Sequence, residues 1–223
     1  MVMAMTSSND RYLRQRDLVP AEKLARVTAT VVGVGAIGRQ VALQLAAMGV
    51  PRLQLVDPDV VEEVNLPVQG YLEADLGQAK VEATAALIRQ VNSTVPLELH
   101  RERFRRSLRV GDVLFCCVDS IATRKLIWEA VKDRISLFVD GRMSAEVIRV
   151  LAAGDEAGCQ HYPTTLFAQE EAFVGACTAK STIYAANIAA GLMVGQFAKC
   201  LRGMPVDPDI TLNLLSAELA VGV

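Results

Sequence analysis

Residues 27–57 read VTATVVGVGAIGRQVALQLAAMGVPRLQLVD. VTATVV is an apolar, β-branched run, the pattern of a strand buried on both faces. It enters a glycine turn, and RQVALQLAAM then carries apolar residues at helical spacing. Gly49 stands where a C-cap belongs, and RLQLVD is a second strand. Strand, helix and strand this close in sequence predict a right-handed parallel crossover. Gly33, Gly35 and Gly38 form G-x-G-x-x-G at the first strand-to-helix junction. Glycines there let the backbone approach a phosphate, and the helix end offers unpaired N–H groups and the positive end of its dipole. Asp57 follows Gly38 by 19 residues, at the end of the second strand. A carboxylate in that place accepts hydrogen bonds from both ribose hydroxyls. To this point NAD and ATP are served equally well.

The alternation continues along the chain. Residues 20–26 predict a short amphipathic helix, 78–91 a helix and 96–100 a strand. DVLFCCVD (112–119) is a doubly buried strand, SIATRKLIWEAVKD a helix, and SLFVD and AEVIRVLAA two further strands. Residues 153–179 show no period and read as a long crossover loop; structureless stretches beyond about 15 residues are commonly functional. Residues 182–198 are largely apolar but are interrupted by Asn187 and Gln196 and fall short of the about 20 residues a membrane span needs, so a buried helix is expected. ITLNLLSAELAV closes the chain as strand. The predicted fold is a Rossmann-like, doubly wound, mostly parallel α/β sheet with helices on both faces and C-terminal antiparallel strands. It forms one domain over residues 1–223, with 1–19 as an N-terminal arm.

The 223 residues, 52% apolar, suffice for one sizeable core. A net charge of −2 gives no global field to recruit nucleic acid or an anionic membrane. The cysteines are Cys116, Cys117, Cys159, Cys177 and Cys200, odd in number and irregular in spacing. That fits a reducing cytoplasm better than a disulfide framework. The segment MVMAMTSSND lacks the basic and apolar regions of a signal peptide, so a cytoplasmic location is expected.

The residues after Asp57 discriminate between nucleotides. Asp59, Asn65 and Gln69 follow within twelve positions, LGQAK places Lys80 near a helix start, and Asp119 ends DVLFCCVD. A lysine is a compact point charge suited to a triphosphate. A carboxylate at the carboxyl edge of the sheet can hold Mg²⁺ on phosphates. A hydride-transfer enzyme needs none of these, which disfavours an NAD-dependent oxidoreductase.

RYLRQ (11–15), VVGVGAIG, VDPDVVEEVNL, GQAKVEA and CCVDSIATR together resemble the ThiF/MoeB family, bacterial relatives of ubiquitin-activating enzymes. The resemblance implies adenylation of the C-terminal carboxylate of a ubiquitin-like or sulfur-carrier protein ending in Gly-Gly, with release of pyrophosphate. It places Gly33, Gly35, Ala36 and Gly38 along the phosphate turn and Asp57 on the ribose. Asp59, Asn65 and Lys80 would act around the triphosphate and Asp119 on Mg²⁺. Arg14 would reach the phosphates of the neighbouring subunit of a homodimer. Two features depart from the family. Where it reads N-L-x-R-Q this chain has NLPVQ, so Val68 replaces an arginine; Arg39 and Arg142 are the possible substitutes, and Arg39 is the one expected. The family's paired C-x-x-C zinc ligands are absent, and Cys159 with His161 makes a poor site, so no zinc is expected.

Cys177 in VGACTAKST has two readings. By resemblance to some members it would take the carrier as a thioester, and a helix start and Lys180 would both favour its thiolate. It equally reads as an inert loop cysteine. RERFRRSLR (101–109) is read as a solvated edge able to dock an acidic carrier, in preference to a nucleic-acid patch. The rival to an active enzyme is a catalytically silent scaffold of the same fold, motivated by Val68.

Overall fold

The computed structural model describes residues 11–167 and 181–222. Its centre is one eight-stranded sheet in the order β3-β2-β1-β4-β5-β6-β7-β8. Strands β1 (Thr28–Val32), β2 (Arg52–Val56), β3 (Leu97–His100), β4 (Val113–Cys116) and β5 (Leu137–Ser144) run parallel. Strands β6 (Val147–Ala153), β7 (Asp209–Asn213) and β8 (Glu218–Gly222) continue it antiparallel. The expected fold class is therefore observed. The central parallel strands β1 and β4 are buried on both faces along nearly their whole length.

The helices are α1 (Ala21–Leu24), α2 (Ala36–Met48), α3 (Leu66–Gln69), α4 (Lys80–Val91), α5 (Ile121–Val131), α6 (Glu156–His161) and α7 (Ile183–Arg202). Residues of α2, α4 and α7 fill the larger core with one face of the sheet. Ile127, Trp128 and Val131 of α5 pack with Phe138 and Tyr162 on the opposite face. Gly49 ends α2 at φ +94, in the left-handed region that a C-cap glycine supplies. Among the described residues, no helix is long and apolar enough to cross a membrane.

Two sequence-based expectations are corrected in detail. Residues 156–165, read as loop, form α6 and a 3-10 turn over Tyr162–Thr165. Asp155 caps α6 by accepting from Gly158 N, and a helix of six residues is too short to show a period. The closing strand is a hairpin, because Asn213 turns the chain by accepting from Leu215 N and Ser216 N. The strand order reverses between β1 and β4, and the crevice at their carboxyl ends is where open α/β sheets bind ligands.

Candidate functional site

The crevice begins with three glycines that have different jobs. Gly33 follows β1 at φ +84, and a Cβ there would lie 2.7 Å from Cys117 O. Only glycine lets the ends of β1 and β4 approach so closely. Gly38 lies in the first turn of α2, where a Cβ would sit 1.8 Å from Gly33 O. The helix thus rests directly on the turn. Among the described residues, a Cβ on Gly35 would meet nothing nearer than the Gln69 side chain at 3.8 Å. The start of α2 has no side-chain cap, and its first backward hydrogen bond is from Arg39 N to Gly35 O at 3.1 Å. The N–H groups of Ala36, Ile37 and Gly38 therefore face a glycine-lined hollow without intrahelical partners. That arrangement fits a phosphate group.

Asp57 is buried beside the hollow. Its Oδ2 accepts from Val34 N at 2.8 Å and its Oδ1 from Asp59 N at 2.9 Å. Each oxygen keeps a further acceptor position for a hydroxyl. Burial raises its pKa, while the two backbone N–H groups and Lys80 pull the other way. Its ionised form is thus a cost to the empty fold at neutral pH that hydroxyl donors from a ligand offset.

Lys80 opens α4, buried, with Nζ 3.2 Å from Asp59 Oδ2. Its N–H bonds Asp59 O at 2.9 Å, so the two loops are pinned at backbone and side chain. Pro58, Asp59, Val60, Glu62, Asn65 and Lys80 line an open cleft of about 480 Å³. Asn65 is half occupied structurally, since its Oδ1 accepts from Glu62 N at 3.0 Å. Asp119 stands exposed between β4 and the N-cap of α5, Ser120, whose hydroxyl accepts from Thr123 N. Gly33, Gly35, Ala36, Gly38, Asp57 and Asp119 therefore gather around the ends of β1, β2 and β4. Asp59, Asn65 and Lys80 line the adjoining cleft.

Three arginines have separate fates. Arg14 is exposed in an arm that packs at the other end of α2, where Gln15 Nε2 bonds Met48 O at 2.6 Å. Thirteen residues of helix, about 20 Å, lie between that end and the glycine turn. Arg14 does not reach its own chain's hollow. Arg142, one of the two substitutes considered for the missing arginine, is committed elsewhere. Its Nε holds Asp140 Oδ2 at 2.9 Å, and its other nitrogens hold Thr165 O at 2.9 Å and Thr165 Oγ1 at 3.0 Å. Arg39 is 2% exposed and stacks over Tyr71 at 4.4 Å. Its Nη2 comes no closer than 3.8 Å to Asp75, and neither Nε nor Nη2 has a hydrogen-bond partner among the described residues. Burial lowers its pKa, opposed by Tyr71 and Asp75.

Sequence reasoning left other contributors without a role. Gln69 lies over Gly35, and its Oε1 is buried without a hydrogen-bond partner among the described residues. Tyr71 supports the turn from below, donating to Val34 O at 2.6 Å. Arg124 is buried on α5; its signal was a charge on the apolar stripe shared with Ile127, Trp128 and Val131. Cys177 lies outside the described residues. Cys159 is exposed on α6, and His161 is turned to Asp209 at 2.8 Å. Among the described residues no group of three or more His, Cys, Asp or Glu side chains can hold a metal ion. In the basic loop Phe104 is buried and the arginines are exposed, so that loop offers bases no aromatic to stack on.

The chain has relatives in sequence and counterparts in fold. The adenylyltransferase and sulfurtransferase MOCS3 of Mus musculus is 40% identical over 114 residues, which are 48% of this chain and 25% of that protein. The MOCS3 of Sus scrofa is 39% identical over 137 residues, 55% of this chain and 30% of that protein. The matched region thus spans less than a third of these relatives. PaaA superposes with a TM-score of 0.78 at 21% identity, covering 100% of this chain and 76% of that one. Escherichia coli MccB, solved with ATP, superposes with a TM-score of 0.74 at 18% identity, covering 96% and 71%. These structural likenesses carry the fold alone. Residues 10–220 match the model of the ThiF family, and the chain belongs to that family.

Proposed function

We propose that this chain is an ATP-dependent adenylyltransferase that joins AMP to the C-terminal carboxylate of a carrier polypeptide, ubiquitin-like or sulfur-carrying and ending in Gly-Gly. Membership of the ThiF family and the names of the MOCS3 relatives support adenylyl transfer. The likeness to MccB with bound ATP supports the nucleotide. The observation that carries the reading is the uncapped start of α2 over the Gly35 hollow, with Asp57 locked beside it.

In this reaction a carboxylate oxygen of the carrier attacks the α-phosphorus. The bond from that phosphorus to the oxygen bridging to the β-phosphate breaks, and its electron pair leaves with pyrophosphate. The nucleophile is already ionised at neutral pH, so no general base is required. The barrier lies in bringing an anion to a polyanion, and fixed positive charge lowers it. The N–H groups at Ala36–Gly38 would receive phosphate oxygens, Asp57 the ribose, and Lys80 would set a cation against the phosphates. Arg14 would serve the site of a second subunit in a homodimer, which its distance from its own turn favours. A single exposed carboxylate fits Mg²⁺, which is commonly held by one or two carboxylates together with phosphates, so Asp119 would hold it. When bound, that ion supplies charge neutralisation on the phosphates.

The test is ATP–pyrophosphate exchange with candidate carriers ending in Gly-Gly. Carrier-dependent exchange is expected. A chain that binds ATP yet exchanges no pyrophosphate with any of them is the silent scaffold that Val68 motivates. In a second step the Cys177 thiolate would attack the acyl carbon of the adenylate, and AMP would leave with the electron pair of the broken C–O bond. The expected product is a carrier adduct that thiol reductant removes and Cys177→Ala prevents. An adduct that survives both treatments rules the thioester out.

A further inference from the structure

Beneath Asp119 lies an ionic chain that does not itself open to the cleft. Arg124 is 4% exposed on α5. Its guanidinium donates to Val118 O and to Gly141 O, the latter at 3.2 Å, and pairs with Asp140 Oδ1. Asp140 is fully buried, and its Oδ2 accepts from Arg142 Nε at 2.9 Å and Tyr162 Oη at 3.0 Å. Two guanidinium groups thus share one carboxylate in the interior. Replacing such groups by apolar side chains of similar volume is often neutral or stabilising. Stability alone is therefore a weak reason for the cluster, and what it grips matters more.

It grips the turn that carries Asp119. Strand β4 ends at Cys116, and Cys117 N still bonds Val32 O at 2.8 Å. The carbonyl of Val118 is then taken by Arg124. The Asp119 side chain makes no hydrogen bond or ion pair among the described residues. The backbone on either side fixes where its Cα–Cβ bond leaves the turn, through the Arg124 grip before it and the Ser120 cap after it. Asp140 in turn prevents the Arg124 guanidinium from swinging away.

We propose that Arg124, held by Asp140, is the positioning residue for Asp119, fixing through the Val118 carbonyl where that carboxylate meets a divalent cation carried on the nucleotide phosphates. This rests on the nucleotide reading of the site. Residues behind a metal ligand typically change metal affinity by about 10–100-fold when removed. The experiment is a double-mutant cycle read by calorimetric ATP binding, once with Mg²⁺ and once in EDTA. Asp119→Ala is expected to weaken binding in Mg²⁺ but not in EDTA, where a carboxylate beside phosphates only repels them. Arg124→Lys is expected to weaken binding in Mg²⁺ by about 10-fold or more with the same selectivity, and to add nothing in the Asp119→Ala background. Tyr162→Phe removes one hydrogen bond to Asp140 and is expected to do the same to a smaller extent, so it takes the place of Arg124→Lys in the cycle if that variant does not fold. Additive losses, or equal losses with and without Mg²⁺, would show that the cluster only packs. Should Asp119→Ala leave Mg²⁺-dependent binding untouched, Asp119 is no cation ligand and the positioning role falls with it.

Discussion

Arg39→Met is expected to lower ATP affinity and the rate of pyrophosphate exchange by roughly 10²–10³-fold, the usual loss when one preorganised donor to developing charge is removed. Adenosine binding should stay the same, and Val68→Arg in the same chain should restore much of the loss. The reasoning starts from burial. A guanidinium with two nitrogens lacking hydrogen-bond partners among the described residues is an expensive group to keep inside a protein. Helical side chains lean toward the helix N-terminus, so Arg39 leans toward the end of α2 that faces the hollow. Its neighbours there are Gly70, Tyr71 and Asp75, immediately after the NLPVQ segment that lacks the expected arginine. Gln40 Nε2 holds Gln69 O at 3.2 Å, so α3 and the start of α2 form one block, and a cation from either can serve the same space. Methionine keeps an apolar stem of similar length and removes the guanidinium, its charge and its stacking on the Tyr71 ring together. Equal losses of ATP and adenosine binding in Arg39→Met, or no rescue by Val68→Arg, would assign Arg39 to packing and strengthen the scaffold reading.

The second large effect separates folding from binding within one motif. Gly38→Ala sets a Cβ 1.8 Å from Gly33 O and 3.0 Å from Cys117 Cβ, so backbone must move. Overpacking of this kind costs about 1–3 kcal/mol, and nucleotide binding should be lost with the geometry of the turn. Gly35→Ala meets only Gln69 at 3.8 Å and should leave the melting temperature near that of the parent while it fills the hollow and weakens ATP binding by 10-fold or more. Gly195→Ala, on the open side of α7 with no atom of the described residues within 4 Å of the new Cβ, should stabilise the protein by about 0.5–1 kcal/mol and leave binding alone. Thermal melts and calorimetry on the three variants decide the matter. A Gly35→Ala protein that binds ATP normally would remove the phosphate from that hollow.

Much of this site was legible because its information is local. The strand, glycine turn and helix at 27–48 announce themselves through period and residue type within twenty residues. Asp57 and Asp119 were legible because strand ends in a doubly wound sheet share one edge. The helix over 156–161 was missed because one and a half turns carry no measurable period. Arg142 was misjudged as a possible substitute for a different reason. Its partners are Asp140 and Thr165, and the second lies 23 positions away, out of reach of any pattern.

The sequence by itself determined the order of strands and helices, the position of the glycine turn and the residue types along the cleft. Those properties follow from side-chain period and from glycine, which act over a few neighbours. Tertiary structure alone decided which charged groups remain available. It committed Arg142 to Thr165, left Arg39 Nε and Nη2 without hydrogen-bond partners among the described residues, set Arg14 at the far end of α2 and put Arg124 beneath Asp119. A guanidinium is the same letter whether its donors are satisfied or empty, and only the contacts brought together by the fold tell the two apart.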